Sequence, residues 1–146
     1  MNQETLKWLE MNNYSTDEIN KQGNYGNTAL MKAAREGNID IFTDLLDIGA
    51  DIHITNVDGN TALWLSCFGG NTEIIKLLIA KGIEIDTRNV NGVTPLMYAS
   101  SSGKDKIVSM LVEAGADVRI KNPDDFSALD LAVTPQILKI LRKAQK

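Results

Sequence analysis

The chain has 146 residues, with 15 basic and 19 acidic side chains and a pI near 4.9. This length fits one domain, and no cluster of Lys and Arg dominates, so a phosphate-binding surface for nucleic acid is disfavoured. The start lacks the basic and apolar segments of a signal peptide, and the apolar runs fall short of the roughly 18 residues of a membrane span. We expect a soluble, cytoplasmic protein that binds neither nucleic acid nor a membrane.

A spacing of 33 residues recurs along most of the chain. A fixed period of about 20 to 50 residues is typical of a solenoid, in which each unit buries its apolar face against its neighbours. The pattern therefore predicts stacked repeats that are marginal alone. The residues that keep the spacing are Gly26, Gly59 and Gly92; Gly37, Gly70 and Gly103; Gly49, Gly82 and Gly115; and Leu30, Leu63, Leu96 and Leu129.

The first 24 residues depart from this pattern and predict a half-repeat that caps the stack. Glu18-Ile19-Asn20 lies in register with Glu84-Ile85-Asp86, and residues 6–10 are predicted to form a truncated second helix. The side chains expected to cover the core of the first full repeat are Leu6, Leu9 and Trp8.

Residues 58–90 show the pattern of one full unit. Asp58-Gly59 is a turn signal, because glycine adopts a positive φ at low cost. Thr61 is predicted to be the N-cap of a first helix, with its hydroxyl accepting from the first backbone N–H groups. That helix is expected to end at Gly69-Gly70, and a second helix, rich in Ile and Leu, is expected to end at Gly82.

The last unit, residues 124–146, is atypical. Asp125 replaces the turn glycine, and Thr134-Pro135 replaces the glycine stop of the first helix with a tighter connection. Three basic side chains near the end suit the negative end of a helix dipole, so we do not assign them to a nucleic-acid site. They are Lys139, Arg142 and Lys143.

Three segments resemble the ankyrin repeat: GNTALMKAAREGN at 26–38, DGNTALWLSCFGGN at 58–71 and NGVTPLMYASSSGK at 91–104. The resemblance covers roughly residues 14–143. It implies an all-α ankyrin-repeat solenoid of stacked helix-turn-helix units joined by short β-hairpin loops. It predicts one domain over 1–146, made of an N-terminal cap (1–24), three repeats (25–57, 58–90 and 91–123) and a C-terminal capping repeat (124–146).

The sequence shows no constellation of catalytic residues. Cys67 is the only cysteine and His53 the only histidine, which excludes an internal disulfide and a metal site built on imidazoles. A Cys–His dyad would need these two residues, and they fall in different predicted elements. The aspartates lack the ligand spacing of a metal-binding loop, and no glycine-rich loop cradles a phosphate. We therefore expect no enzyme activity, no metal and no cofactor.

The resemblance also implies a binding surface, because ankyrin-like repeats bind through a concave face built from hairpin tips and first helices. Aromatic residues make up 5% of the chain, yet Trp64, Phe68 and Tyr98 lie in the first helices of adjacent repeats. One interpretation packs these side chains against neighbouring elements, and the favoured one exposes them as an apolar patch with a polar rim. The residues predicted to bind protein are Tyr25, Asn27, Lys32, Arg35, Asp58, Asn60, Trp64, Phe68, Val93, Tyr98, Ser101 and Phe126.

The expected function is therefore a non-enzymatic module that binds another protein through this concave face and is monomeric when unbound. Two alternatives stay open. One is an immunity- or antitoxin-like inhibitor that masks a basic enzyme or toxin, for which association would depend on salt. The other is a structural subunit that associates with itself.

Overall fold

Short helices make up the protein, and the computed structural model describes residues 1–145. Within that range there are nine α-helices and no β-strand, and the chain divides into two compact units, residues 1–83 and the remainder from Glu84 onward. The helices of the first unit are α1 (Gln3–Met11), α2 (Ala29–Glu36), α3 (Ile39–Asp47), α4 (Ala62–Gly69) and α5 (Thr72–Ala80). Those of the second unit are α6 (Pro95–Ser101), α7 (Asp105–Glu113), α8 (Ala128–Leu131) and α9 (Pro135–Ala144).

Each unit encloses an apolar core between its helices. In the first unit α2 packs against α3 and α4, and α5 packs against α3 and α4. In the second unit α6 packs against α7 and α8, and α9 packs against the same two helices. Helices this short are marginal alone, so packing stabilises them. The largest fully buried side chains are Leu9, Leu30, Met31, Ile41, Phe42, Leu45, Leu63, Ile74, Ile75 and Leu78 in the first unit and Leu96 and Met97 in the second.

Hydroxyl side chains begin the first helices of the repeats. The hydroxyls of Thr28 and Thr94 each accept a hydrogen bond of 3.2 Å from the backbone N–H three residues on, and Ser127 caps α8 in the same way. Thr61 is the N-cap of α4 as predicted, but the prediction that its hydroxyl accepts from the backbone is wrong. The Thr61 hydroxyl oxygen is buried and has no hydrogen-bond partner among the described residues.

The N-terminal cap buries one face of α1 against α3. Leu9 is fully buried as predicted, but Leu6 is 39% exposed and Trp8 is partly exposed. Thr5 is buried instead, because it lies four residues before Leu9 and shares its helix face. The Trp8 ring stacks on that of Tyr14, with their centroids 6.1 Å apart.

The loops predicted as β-hairpins are turns, and an asparagine side chain holds three of them. Asn56 Oδ1 accepts hydrogen bonds of 3.0 Å from the backbone N–H groups of Asp58 and Asn60. Asn89 and Asn122 hold the two following turns in the same way. An asparagine that hydrogen-bonds the backbone ahead of it reverses the chain locally.

These turns do not continue into a β-ladder. In the described part of the chain the single β-bridge joins Lys121 to Ser127 across the last turn. The hairpin loops of the predicted fold are thus present as turns, because the asparagine side chain supplies hydrogen bonds that a ladder would otherwise provide.

Candidate binding surface

The residues predicted to bind a partner fall in both units, which we describe separately. The first unit holds Tyr25, Asn27, Lys32, Arg35, Asp58, Asn60, Trp64 and Phe68. The second unit holds Val93, Tyr98, Ser101 and Phe126.

Two stacked aromatic rings and a guanidinium contact one another in the first unit. The rings of Trp64 and Phe68, one turn apart on α4, have centroids 5.9 Å apart and planes 10° from parallel. The guanidinium carbon of Arg35, near the end of α2, lies 5.0 Å from the centroid of the Phe68 ring. A cation–π contact of this kind is worth about 0.5–1 kcal/mol at an exposed site. Phe68 stays 44% exposed, so part of the stack is open to solvent.

The close approach of α2 and α4, which brings Arg35 to Phe68, depends on Gly69. A Cβ atom at this position would overlap the backbone carbonyl oxygen of Arg35. The backbone of Gly69 is not in the left-handed region, so glycine is needed here for space rather than for conformational freedom. Glu36 and Ser102 occupy the same register position in the neighbouring repeats, so this glycine is specific to α4.

The first turn, residues 23–27 before α2, carries Tyr25, which is 77% exposed. Gly23 stands where later turns have asparagine, and Tyr25 adopts a left-handed backbone with a φ of 59°. For a bulky residue this conformation costs about 1–3 kcal/mol and persists only where its surroundings fix it, often at functional sites. Here the Val57 N–H donates to the Tyr25 carbonyl at 3.0 Å, and Gln22 Nε2 donates to the Gly26 carbonyl at 2.7 Å.

Two adjoining cavities lie beside these groups. Their volumes are about 560 and 390 Å³, and both are open to solvent. Arg35 and Tyr25 line both cavities, the larger of which extends to the cap loop at residues 12–14. Trp64 and Phe68 line the smaller cavity. We call the four side chains Tyr25, Arg35, Trp64 and Phe68 the aromatic surface.

The two cations beside the cavities are in different states. Lys32 Nζ lies 3.1 Å from Glu36 Oε2, one turn along α2. Arg35 has no ion-pair or hydrogen-bond partner for its guanidinium within residues 1–145, and the Phe68 ring is its contact. Arg35 is therefore the cation at these cavities that has no carboxylate partner.

Tyr14 lines the larger cavity. Burial, and then the Glu36 carboxylate, raise the pKa of its phenol group.

Asn60 is a predicted contact residue that the structure places in the interior. It is 5% exposed, and its backbone closes the second turn by accepting from the Asn56 N–H at 3.0 Å. Asn60 therefore supports the turn, and although it lines the smaller cavity it offers a partner little surface.

The predicted residues of the second unit are spread over α6 and the turns on either side. Val93 and Tyr98 are partly exposed, and the Ser101 hydroxyl donates to the Tyr98 carbonyl at 3.1 Å. Phe126 is 49% exposed at the last turn, next to Asp125, which has a left-handed φ of 69°.

A family model for ankyrin repeats, in three copies, matches residues 32–122. The match covers more than half of the chain and includes Arg35, Trp64 and Phe68. The chain belongs to the ankyrin-repeat family. The predicted all-helical ankyrin-repeat fold is thereby confirmed. A search of curated proteins finds no match to this sequence.

Ankyrin repeats are generally protein–protein interaction modules and are typically non-enzymatic. In this ankyrin-repeat protein Cys67 is buried, whereas His53 is exposed and its backbone N–H donates to Asp51 at 2.8 Å. None of residues 1–145 belongs to a group of three or more His, Cys, Asp or Glu that could hold a metal ion. No helix in the same range has both the length and the apolar character needed to cross a membrane.

Sequence reasoning misses two features of these ankyrin repeats. The turn asparagines Asn56, Asn89 and Asn122 keep the 33-residue spacing, so that period could have revealed them. The role of Gly69 has no comparable signal, because its contact with Arg35 joins two helices that are separate in the sequence.

Proposed function

We propose that this ankyrin-repeat protein binds another protein through its turns and first helices, with the aromatic surface as the main contact. The observation that carries the proposal is the stacked pair of Trp64 and Phe68, with the Arg35 guanidinium over the Phe68 ring, beside a cavity of about 390 Å³. Aromatic and Arg side chains contribute most of the binding energy in many protein interfaces. Because these groups already hold one another, the surface loses little conformational freedom on binding.

The other residues of the prediction are proposed as further contacts, unit by unit. In the first unit Asn27, Lys32 and Asp58 would form a polar rim around the aromatic surface, which is the usual surrounding of an apolar interface centre. Asn60 is left out because it is buried. In the second unit Val93, Tyr98, Ser101 and Phe126 are proposed as separate contacts.

Photo-crosslinking tests this proposal at single positions. A benzophenone side chain replaces Phe68 in one variant and Lys76, on α5 with its side chain 60% exposed, in a matched control. We expect a covalent adduct with a protein of the native cell extract from position 68 and not from position 76. Excess unlabelled wild type should compete the adduct away, and a Trp64→Ala/Phe68→Ala competitor of confirmed fold should not.

Two results would contradict the proposal. One is an adduct from position 76 that matches or exceeds the one from position 68. The other is equal competition by the wild type and the double variant. An adduct of twice the chain mass would instead identify a second copy as the partner, and analytical ultracentrifugation would then show a concentration-dependent dimer.

A further inference from the structure

The position of Arg35 limits the chemistry of the partner. Its guanidinium lies over the Phe68 ring, and Arg35 lines both cavities. The other cation at these cavities, Lys32, already has a carboxylate partner, since its Nζ lies 3.1 Å from Glu36 Oε2 in an exposed ion pair. Within residues 1–145 the Arg35 side chain forms no ion pair, so its charge is available to a group that enters from outside.

The ring contact prepares Arg35 for a carboxylate. A guanidinium is a planar fork of five N–H donors that matches the two oxygens of a carboxylate. The Arg35 guanidinium carbon lies over the Phe68 ring, and the group forms no ion pair within residues 1–145, so its N–H donors are available to a ligand. Holding the side chain in advance also lowers the entropy that binding would otherwise cost. The aromatic surface thus favours one position of the cation before a partner binds.

The surroundings of Arg35 call for an apolar group beside that carboxylate. Phe68, Trp64 and Leu65 line the smaller cavity together with Arg35. A partner that brought only a charge would leave the exposed part of the Phe68 ring in water. A carboxylate followed by an apolar side chain would use both features.

The charges of the first unit exclude a strongly acidic partner. Residues 1–83 contain six basic and eleven acidic side chains. Asp58 lines the same cavity as Arg35 and is exposed, so it would repel a second negative group. A single carboxylate fits this balance, and a run of carboxylates does not.

We infer that the aromatic surface recognises a peptide segment with one carboxylate beside an apolar side chain, the carboxylate on Arg35 and the apolar group on Phe68 and Trp64. This inference rests on the proposed function and adds the chemistry of the partner to it. It also differs from the interpretation based on net charge, which favours a basic partner.

Selection from a library of short random peptides, displayed on phage and panned against the full chain, tests the inference. We expect enrichment of sequences in which one Asp or Glu stands next to Leu, Ile, Met or an aromatic residue. A selected peptide is then compared with its Asp→Asn or Glu→Gln counterpart on the wild type, on Arg35→Met and on Lys76→Met. The amide peptide should bind the wild type and Lys76→Met about tenfold more weakly than the acid peptide. On Arg35→Met the two peptides should bind equally.

Each other outcome overturns a defined part of the argument. Peptides that carry no acid, yet lose binding on Trp64→Ala/Phe68→Ala, would reject the carboxylate and leave the proposed function standing. Peptides that bind all variants alike would reject the aromatic surface as well. If no peptide is enriched, the surface does not recognise a linear segment, and the crosslinking experiment alone decides the proposed function. Thermal unfolding of every variant confirms that it is folded.

Discussion

The two units carry the same repeat but differ at one equivalent surface position. Arg35, Phe68 and Ser101 are spaced 33 residues apart, each near the end of a first helix. In the first unit the cation and the ring at this position contact each other across two helices. In the second unit the Ser101 hydroxyl donates to the Tyr98 carbonyl of its own helix. The repeat therefore fixes where a side chain stands, and the residue placed there decides what chemistry it offers.

The two units also differ in charge. Residues 1–83 have six basic and eleven acidic side chains, whereas residues 84–146 have nine and eight. The acidic excess of the first unit lies away from its cavities, since Glu36 and Asp58 are the carboxylates among the residues that line them. Net charge thus describes the unit but not its site. An acidic unit can still present a cation to a partner.

The largest effect on this contrast is expected from Gly69→Ala. The new methyl group would overlap the Arg35 carbonyl oxygen and push α4 away from α2. Overpacking of this kind costs about 1–3 kcal/mol, and the higher helix propensity of Ala returns about 1 kcal/mol at most. Because the overlap is with a backbone atom, which cannot rotate away, the cost lies at the upper end of that range. We therefore expect a net loss of about 2 kcal/mol in the free energy of unfolding, measured by urea denaturation. Ser102→Ala, at the same register position in the second unit, should change it by less than about 0.5 kcal/mol.

Equal effects of these two substitutions would show that α2 and α4 are not held together at Gly69. In that case the stacking of Arg35 on Phe68 would need another cause.

A smaller difference in stability is expected between the turn at Asn56 in the first unit and the turn at Asn89 in the second. Asn56 accepts from two backbone N–H groups, and its Nδ2 also donates to Asn27 Oδ1 at 2.9 Å. Asn89 accepts from two N–H groups in the same way. A net hydrogen bond contributes about 1 kcal/mol, so Asn56→Ala should cost about 1 kcal/mol more than Asn89→Ala in urea denaturation. In an Asn27→Ala background the two costs should converge, and a difference that persists there would argue against this origin.

The 33-residue period made the fold predictable, because its apolar and glycine positions recur in register. Leu63 and Gly70 needed no knowledge of distant contacts, since one faces the core of a repeat and the other ends a helix. The exposure of Leu6 was harder to predict, because the cap is not a copy of the repeat. The buried face of α1 begins at Thr5 and leaves Leu6 exposed.

The candidate site was predictable only in part. The register places Arg35, Trp64 and Phe68 on first helices, but it does not give the distance between α2 and α4. That distance depends on Gly69, which has the same sequence signal as an ordinary helix end. The burial of Asn60 was not predictable for a similar reason, since its turn position favours exposure while its packing leaves it 5% exposed.

The smallest expected effect is on how the free energy of unfolding depends on pH, to which one carboxylate in each unit contributes with opposite sign. In the first unit, the nearby Thr5 hydroxyl and the Asn2 backbone N–H, which donates to Asp44 Oδ2 at 3.1 Å, lower the pKa of Asp44. In the second unit, burial raises the pKa of Asp86. The Asp117 and Glu84 carboxylates raise it further, whereas the hydrogen bond from the Asp117 N–H lowers it by less than burial raises it. Exposure to solvent keeps both contributions small.

The signs follow from which state binds more protons. With its lowered pKa, Asp44 stabilises the folded chain above the usual carboxyl pKa of about 3.9, and this stability is lost as the pH falls through the folded value. Asp86 has the opposite effect because its pKa is raised in the folded chain. Its contribution to stability is present below the usual carboxyl pKa and is lost as the pH rises through the raised pKa of the folded state. On acidification from neutral pH, the stability of the wild type should therefore fall relative to Asp44→Asn and rise relative to Asp86→Asn. Urea denaturation across the carboxyl range measures both differences, and changes of the same sign would show that the two carboxylates do not have opposite environments.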